Sequence, residues 1–95
     1  MRVVIRAGAS RDLRAIGDWI ARDNPRRAET FVVEREARAM ALAAMPRRGP
    51  VVARTRLGPV RKLTHGSYLI YYRVRTNAVD ILAVRHAAMG TPDFD

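Results

Sequence analysis

The chain has 95 residues, 48% of them apolar, and a formal net charge of +9, which gives a single domain over residues 1–95 with one core and a thin margin of self-sufficiency, so that a partner chain is plausible. It has no cysteine, which excludes disulfides and thiolate metal sites and fits a reducing compartment. No apolar run reaches the roughly 18 residues of a membrane span and MRVVIRAGAS lacks a long apolar segment, so the expected place is the cytoplasm, with no membrane contact.

Arg2 to Arg6, RVVIR, is a short β-branched run and reads as a strand, broken by Ala7-Gly8-Ala9. Ser10 then reads as a helix N-cap, with Asp12 in the first turn. Leu13, Ile16 and Ile20 form a stripe at helical spacing, and Asp23-Asn24-Pro25 ends the helix. The same tripeptide opens a second helix, with Asn24 as N-cap and Pro25 at its first position, running to about Met45 before Pro46. Ala28, Phe31, Val32, Ala39, Leu42 and Met45 share its apolar face, which Arg35 interrupts. The acids on these helices read as solvated faces, with Asp18–Arg22 and Glu34–Arg38 as pairs one turn apart.

Arg47 to Pro59 is rich in Arg, Gly and Pro and reads as a loop with room for a short strand near Val51 to Arg56. Val60 to Thr64 is a strand, and His65-Gly66-Ser67 a turn that leaves His65 solvated. Tyr68 to Val74 and Ala78 to His86 form a hairpin about Arg75-Thr76-Asn77. Alternation puts Tyr68 and Tyr72 with Ile70 and Val74 on a core face, and Tyr71 with Leu69 and Arg73 on the other, where Tyr71 and Arg73 are the pair expected to be exposed. Ala87 to Asp95 is an irregular tail. The fold class is therefore α+β in the order β-α-α-β-β-β: an N-terminal strand, an antiparallel helical hairpin, then a three- to four-stranded antiparallel sheet. The first strand joins that sheet at an edge or beside the last strand.

The charge is segregated. Nine cations and no acid lie between Glu36 and Asp80 (Arg38, Arg47, Arg48, Arg54, Arg56, Arg61, Lys62, Arg73 and Arg75), whereas the rest of the chain is neutral. Such a block favours a polyanion or an acidic protein. Two widely separated histidines without a thiol make no metal motif, and no cofactor is expected. No nucleotide loop, Ser/His/Asp set or paired carboxylates stand out. Trp19 lies about 100° off the Leu13/Ile16/Ile20 stripe, so it either flanks the core or lines a groove for a partner.

Several strings together resemble the ParE toxins of the RelE/ParE superfamily, the toxin half of bacterial toxin–antitoxin operons. They are Asp12-Leu13 with Ile16, Trp19-Ile20-Ala21, Asp23-Asn24-Pro25, Ala28 with Phe31-Val32, Leu42 before Met45-Pro46, Gly49, Arg61, Tyr68 through Val74, and Ile81 with Val84 and His86. Their joint order spans roughly residues 2 to 90. The chain departs from the family pattern at Arg35, where an apolar residue is usual, and after His86, where Ala87-Ala88-Met89-Gly90 replaces small residues followed by an Arg-Asp-like pair.

The resemblance implies a toxin that contributes to plasmid or chromosome stabilisation, poisons DNA gyrase by binding the gyrase–DNA complex, and causes growth arrest. It also implies a small ParD-like antitoxin as partner, in a heterotetramer or larger assembly. Target contacts would come from Arg54, Arg56, Arg61, Lys62, Arg73, Arg85 and His86, and antitoxin contacts from Trp19, Phe31, Arg35, Tyr71 and Arg73. A binding poison needs no catalytic residue. The alternative is a RelE-like, metal-independent endoribonuclease that cuts mRNA in the ribosome, with His86 as general base and Arg61 and Arg85 at the phosphate. The plain reading of His86 is a strand-end residue with a local hydrogen bond.

Overall fold

The computed structural model describes residues 1–94. The elements are β1 (Arg2–Ile5), α1 (Ala7–Ala21), α2 (Pro25–Met40), a 3-10 turn (Ala41–Ala43), β2 (Val51–Thr55), β3 (Gly58–His65), β4 (Tyr68–Val74), β5 (Ala78–His86) and a final 3-10 turn (Ala87–Met89). This is the expected α+β class, with one strand more: Val51–Thr55 pairs with β3 and completes a five-stranded sheet in the order β1-β5-β4-β3-β2. β1 lies at an edge and beside the last strand, and it runs parallel to β5, from Arg2 opposite Ala78 to Ile5 opposite Ile81. The other pairings are antiparallel.

The helix start differs from expectation. α1 begins at Ala7, straight after β1, and Ser10 lies inside it, its N–H donating to the Arg6 carbonyl at 2.9 Å. Ala7-Gly8-Ala9 is not a breaker but a close-approach surface. Ala9 is fully buried, and a Cβ on Gly8 would stand 3.1 Å from the Leu82 carbonyl oxygen. Small side chains let the first helical turn lie on the β5 backbone beyond the end of β1. Asp12, one turn further on, accepts a hydrogen bond from the Val84 N–H at 2.9 Å and so covers a donor on the β5 edge that β1 does not reach. Asn24 caps α2 as expected, its Oδ1 accepting from the Arg27 N–H at 3.1 Å, and Pro25 occupies the first turn. Neither expected surface pair forms: Glu34 takes Arg27 at 3.1 Å and Arg35 at 3.3 Å instead of Arg38, and Asp18 and Arg22 stay apart.

The helical hairpin covers one face of the sheet. Phe31, Leu42, Leu63, Ile70, Tyr72, Ile81 and Val84 meet there, with Leu13 and Ala9 from α1. The opposite face carries a smaller cluster of Val60, Leu69, Tyr71 and Ala83. The tail folds back over it, and the Phe94 ring lies 5.4 Å from that of Tyr71. Tyr71 is therefore fully buried, not the exposed aromatic that alternation implies, although it does lie on the side predicted. A bulge at Leu82, where Tyr71 pairs with Ala83 and Tyr72 with Ile81, preserves the alternation of both strands on either side of it.

Candidate functional site

Two surfaces gather the residues of interest. The first is an open, largely apolar groove of about 540 Å³ between α1 and the end of β5. Ala15, Ile16 and Trp19 form one wall, Tyr68, Val84 and His86 the other, and Met89 closes one end. Trp19 is 64% exposed and Met89 66%, so both are groove walls rather than core. Tyr68 is held from below, its ring edge-on to Phe31 at 4.7 Å and to His86 at 5.2 Å. Asp12 sits at the rim, with Arg85 Nε 3.8 Å from its carboxylate. Exposed Trp and Met beside a half-buried Tyr around an apolar trough are the residue types that anchor polypeptide partners.

The second surface is basic. Arg54 and Arg56 are exposed on and just beyond β2. Lys62, opposite Tyr71 in the register, lies on the sheet face away from the helices. Arg73 lies on that face too and donates to Thr55 Oγ1 at 2.9 Å. Arg61 points to the helix side, where it donates to the Gly49 carbonyl at 2.8 Å. Gly49 is locked further by its N–H to the Tyr72 hydroxyl at 2.9 Å. The Arg61 guanidinium thus pins the Arg47–Pro50 loop to the sheet.

The alternative catalytic trio does not converge. Arg61 stands level with Tyr72 and Ile81, five residues along β5 from His86, which at about 3.3 Å per residue separates them by roughly 16 Å along the strand. Arg85 stays with His86 at the groove, its Nε 3.8 Å from the Asp12 carboxylate, and so lies at the His86 end of β5, away from Arg61. His86 Nδ1 accepts from the Ala88 N–H at 3.1 Å, the local bond of its plain reading. Of the residues assigned to antitoxin contact, only Trp19 presents a large surface. Phe31 is 1% exposed and Tyr71 is fully buried, so each supports a neighbour instead of reaching a partner. Arg35 is also buried, and Arg73 is half-buried. His65 is not a solvated turn residue: it ends β3, half-buried, and burial together with Arg35 and Arg38 pushes its pKa below the ordinary value. Met89 and Phe94 escape sequence reasoning because nothing in a Gly- and Pro-containing tail tells which surface it meets. Asp12 was legible only as a helix-start acid.

Among the described residues, no cluster of His, Asp or Glu is placed to hold a metal, and no helix is long and apolar enough to cross a membrane. The sequence matches the family model "ParE toxin of type II toxin-antitoxin system, parDE" over residues 3–90. The chain belongs to the ParE toxin family. It is thus a toxin of the type II toxin–antitoxin class. The fold resembles a chain of the chromosomal ParDE toxin–antitoxin system from P. aeruginosa at TM-score 0.76 and 22% identity, covering 90% of this chain and 95% of that one. It also resembles a chain of the toxin–antitoxin complex RelBE2 from Mycobacterium tuberculosis at TM-score 0.61 and 27% identity, with the same coverage, 90% and 95%. No curated protein matches the sequence.

Proposed function

We propose that this ParE-family toxin acts in the cytoplasm as a binding poison of the DNA gyrase–DNA complex and is neutralised by a ParD-like antitoxin. The observation that carries the reading is the employment of the would-be catalytic groups in the scaffold. Arg61 holds the Gly49 loop, His86 holds the last turn, and the two are too far apart to act on one phosphate. What remains on the surface is charge without a catalytic set: exposed Arg54 and Arg56, half-buried Lys62 and Arg73 on the sheet face away from the helices, and half-buried Arg85 at the groove rim. These side chains suit an anionic complex, which they would grip by electrostatics and guanidinium hydrogen bonds. The antitoxin would lay an amphipathic segment in the Trp19 groove and offer acids to the arginines. An adjacent open reading frame with an acidic, amphipathic C-terminal half is the expected genetic signature.

Likeness to the RelBE2 chain keeps one rival, the ribosome-dependent endoribonuclease. Expression of this chain alone in bacteria, followed by two readouts from one culture, separates them. The binding reading expects trapped gyrase–DNA cleavage complexes, SOS induction and intact mRNA. Codon-phased mRNA 5′ ends without DNA damage, abolished by His86→Ala or Arg61→Ala in folded protein, would replace it with the ribonuclease.

A further inference from the structure

Tyr68, which lines the groove, also stacks on a corner of the molecule where cations outnumber acceptors. Arg35, 5% exposed at its side chain, lies with its Cζ 4.3 Å from the Phe31 ring centroid and 5.0 Å from that of Tyr68. The two rings offer favourable faces to the charge but accept no ordinary hydrogen bond. Its one acid is Glu34, at 3.3 Å, and that carboxylate is half-exposed and shared with Arg27. Arg35 Nε has no partner. One turn along α2, Arg38 Nε is likewise buried and without a partner, and so is Nδ1 of His65 at the end of β3. Arg35 and Arg38 both act on the His65 imidazole and disfavour its protonation. Gly66, at φ +62°, borders the corner: a Cβ there would stand 3.9 Å from Arg35 Nη2. Orphaned buried nitrogens are rare in folded chains; the two guanidinium Nε–H groups call for an acceptor, and the imidazole beside them has a free ring nitrogen that becomes a donor once protonated.

We propose that Arg35, Arg38 and His65 form an oxyanion-binding recess that takes one carboxylate or phosphate group beside Gly66. The two guanidiniums would donate to its oxygens, and the imidazole, protonated once the anion offsets the arginines, would add a third donor. The charged and titratable groups around that imidazole are Arg35, Arg38 and Glu34 on α2 and Tyr68 on β4. The inference stands independently of the toxin's target. The same chemistry has two sources, a carboxylate of a partner chain or a free phosphate.

The test uses the whole chain, titrated with sodium phosphate and, separately, sodium acetate at constant ionic strength. The arginine Nε–Hε and His65 ring signals are followed by NMR. The expected result is a saturable shift at Arg35, Arg38 and His65, with the His65 pKa rising by about one unit at saturation. Arg35→Met, whose side chain fits between the two rings, and Arg38→Met, at a partly exposed site, should each weaken the apparent affinity roughly tenfold or more, whereas Arg22→Gln should not. Saturation by acetate as well as phosphate upholds the recess and assigns it to carboxylates. Saturation by phosphate alone upholds it and assigns it to phosphoryl groups. Shifts that grow linearly without saturating, or that persist in both methionine variants, overturn it.

Discussion

Asp80 is the buried carboxylate of the sheet, 4% exposed, with two arginines closed over it. Arg75, beyond the end of β4, reaches it through Nε at 2.6 Å and Nη2 at 3.0 Å. Arg6, at the end of β1, reaches it through Nη2 at 3.0 Å and Nε at 3.1 Å. One carboxylate therefore ties the edge strand and the β4–β5 turn together. Asp80→Asn keeps the shape and removes the charge, and its amide offers the guanidiniums a donor where they need an acceptor. Removing one partner of a fully buried pair costs about 3–5 kcal/mol. Here the arginine side chains are 49% and 41% exposed, and water takes up part of the loss, which brings the expectation to about 2 kcal/mol. In a domain of this size that lowers Tm by roughly 8–16 °C. The pH dependence follows from the direction of the Asp80 shift. Burial pushes its pKa up, but the hydrogen bonds and charges of Arg75 and Arg6 outweigh it and hold the carboxyl below its ordinary 3.8. A depressed folded-state pKa means stability that is present above the unfolded pKa and lost as pH falls through the folded one. The gap between wild type and Asp80→Asn should be constant from about pH 5 to 8 and narrow below about pH 4. Urea denaturation followed by circular dichroism across that range measures it. A loss under about 0.5 kcal/mol at neutral pH, or a gap that does not narrow in acid, refutes the reasoning.

Gly49→Ala should destabilise by about 2 kcal/mol or more, because the new Cβ would collide with the Lys62 carbonyl oxygen and press on the Tyr72 hydroxyl; a Tm equal to wild type would mean the loop is not held as described. Tyr72→Phe leaves the buried Gly49 N–H without an acceptor and should cost about 1–3 kcal/mol, read by the same denaturation. Trp19→Ala should leave stability within about 0.5 kcal/mol, because the ring is mostly solvated, yet weaken antitoxin binding by about 2 kcal/mol or more; calorimetric titration with the cognate antitoxin decides it. Phe94→Ala uncovers Tyr71 and should cost about 1–2 kcal/mol, with a rise in tyrosine accessibility to solvent quenchers.

The hairpin of β4 and β5 is legible in the sequence because two unbroken apolar runs flank a polar turn, and no tertiary contact has to overrule them. The Asn24-Pro25 junction is legible for the same reason: cap and first-turn preferences are local. β2 is harder to read, since Val51–Thr55 carries an arginine and needs only one partner strand. The start of α1 misleads because Ala-Gly-Ala means a breaker locally and a close approach in three dimensions, and only the position of the Leu82 carbonyl tells them apart. Tyr71 is placed on the right face by alternation, but its burial depends on Phe94, 23 positions later, folding back. Of the groove, Trp19 is readable as an off-stripe aromatic. Its far wall depends on where the last strand ends and how the chain turns at Ala87–Met89, which no periodicity encodes.

The parallel pairing of β1 with β5 has a consequence for the order in which the fold is acquired. Residues 2–5 are separated from their partners, residues 78–81, by both helices and three other strands. Contacts this distant carry a large loop-closure cost until the intervening chain has been ordered. The helical hairpin and the β3–β4–β5 meander, built from neighbours in sequence, can form without β1. Contact order therefore predicts that the N-terminal strand docks late, bringing Arg6 onto Asp80. On topology alone, a partner arriving before β1 docks would meet a sheet whose β5 edge at residues 78–81 is still open.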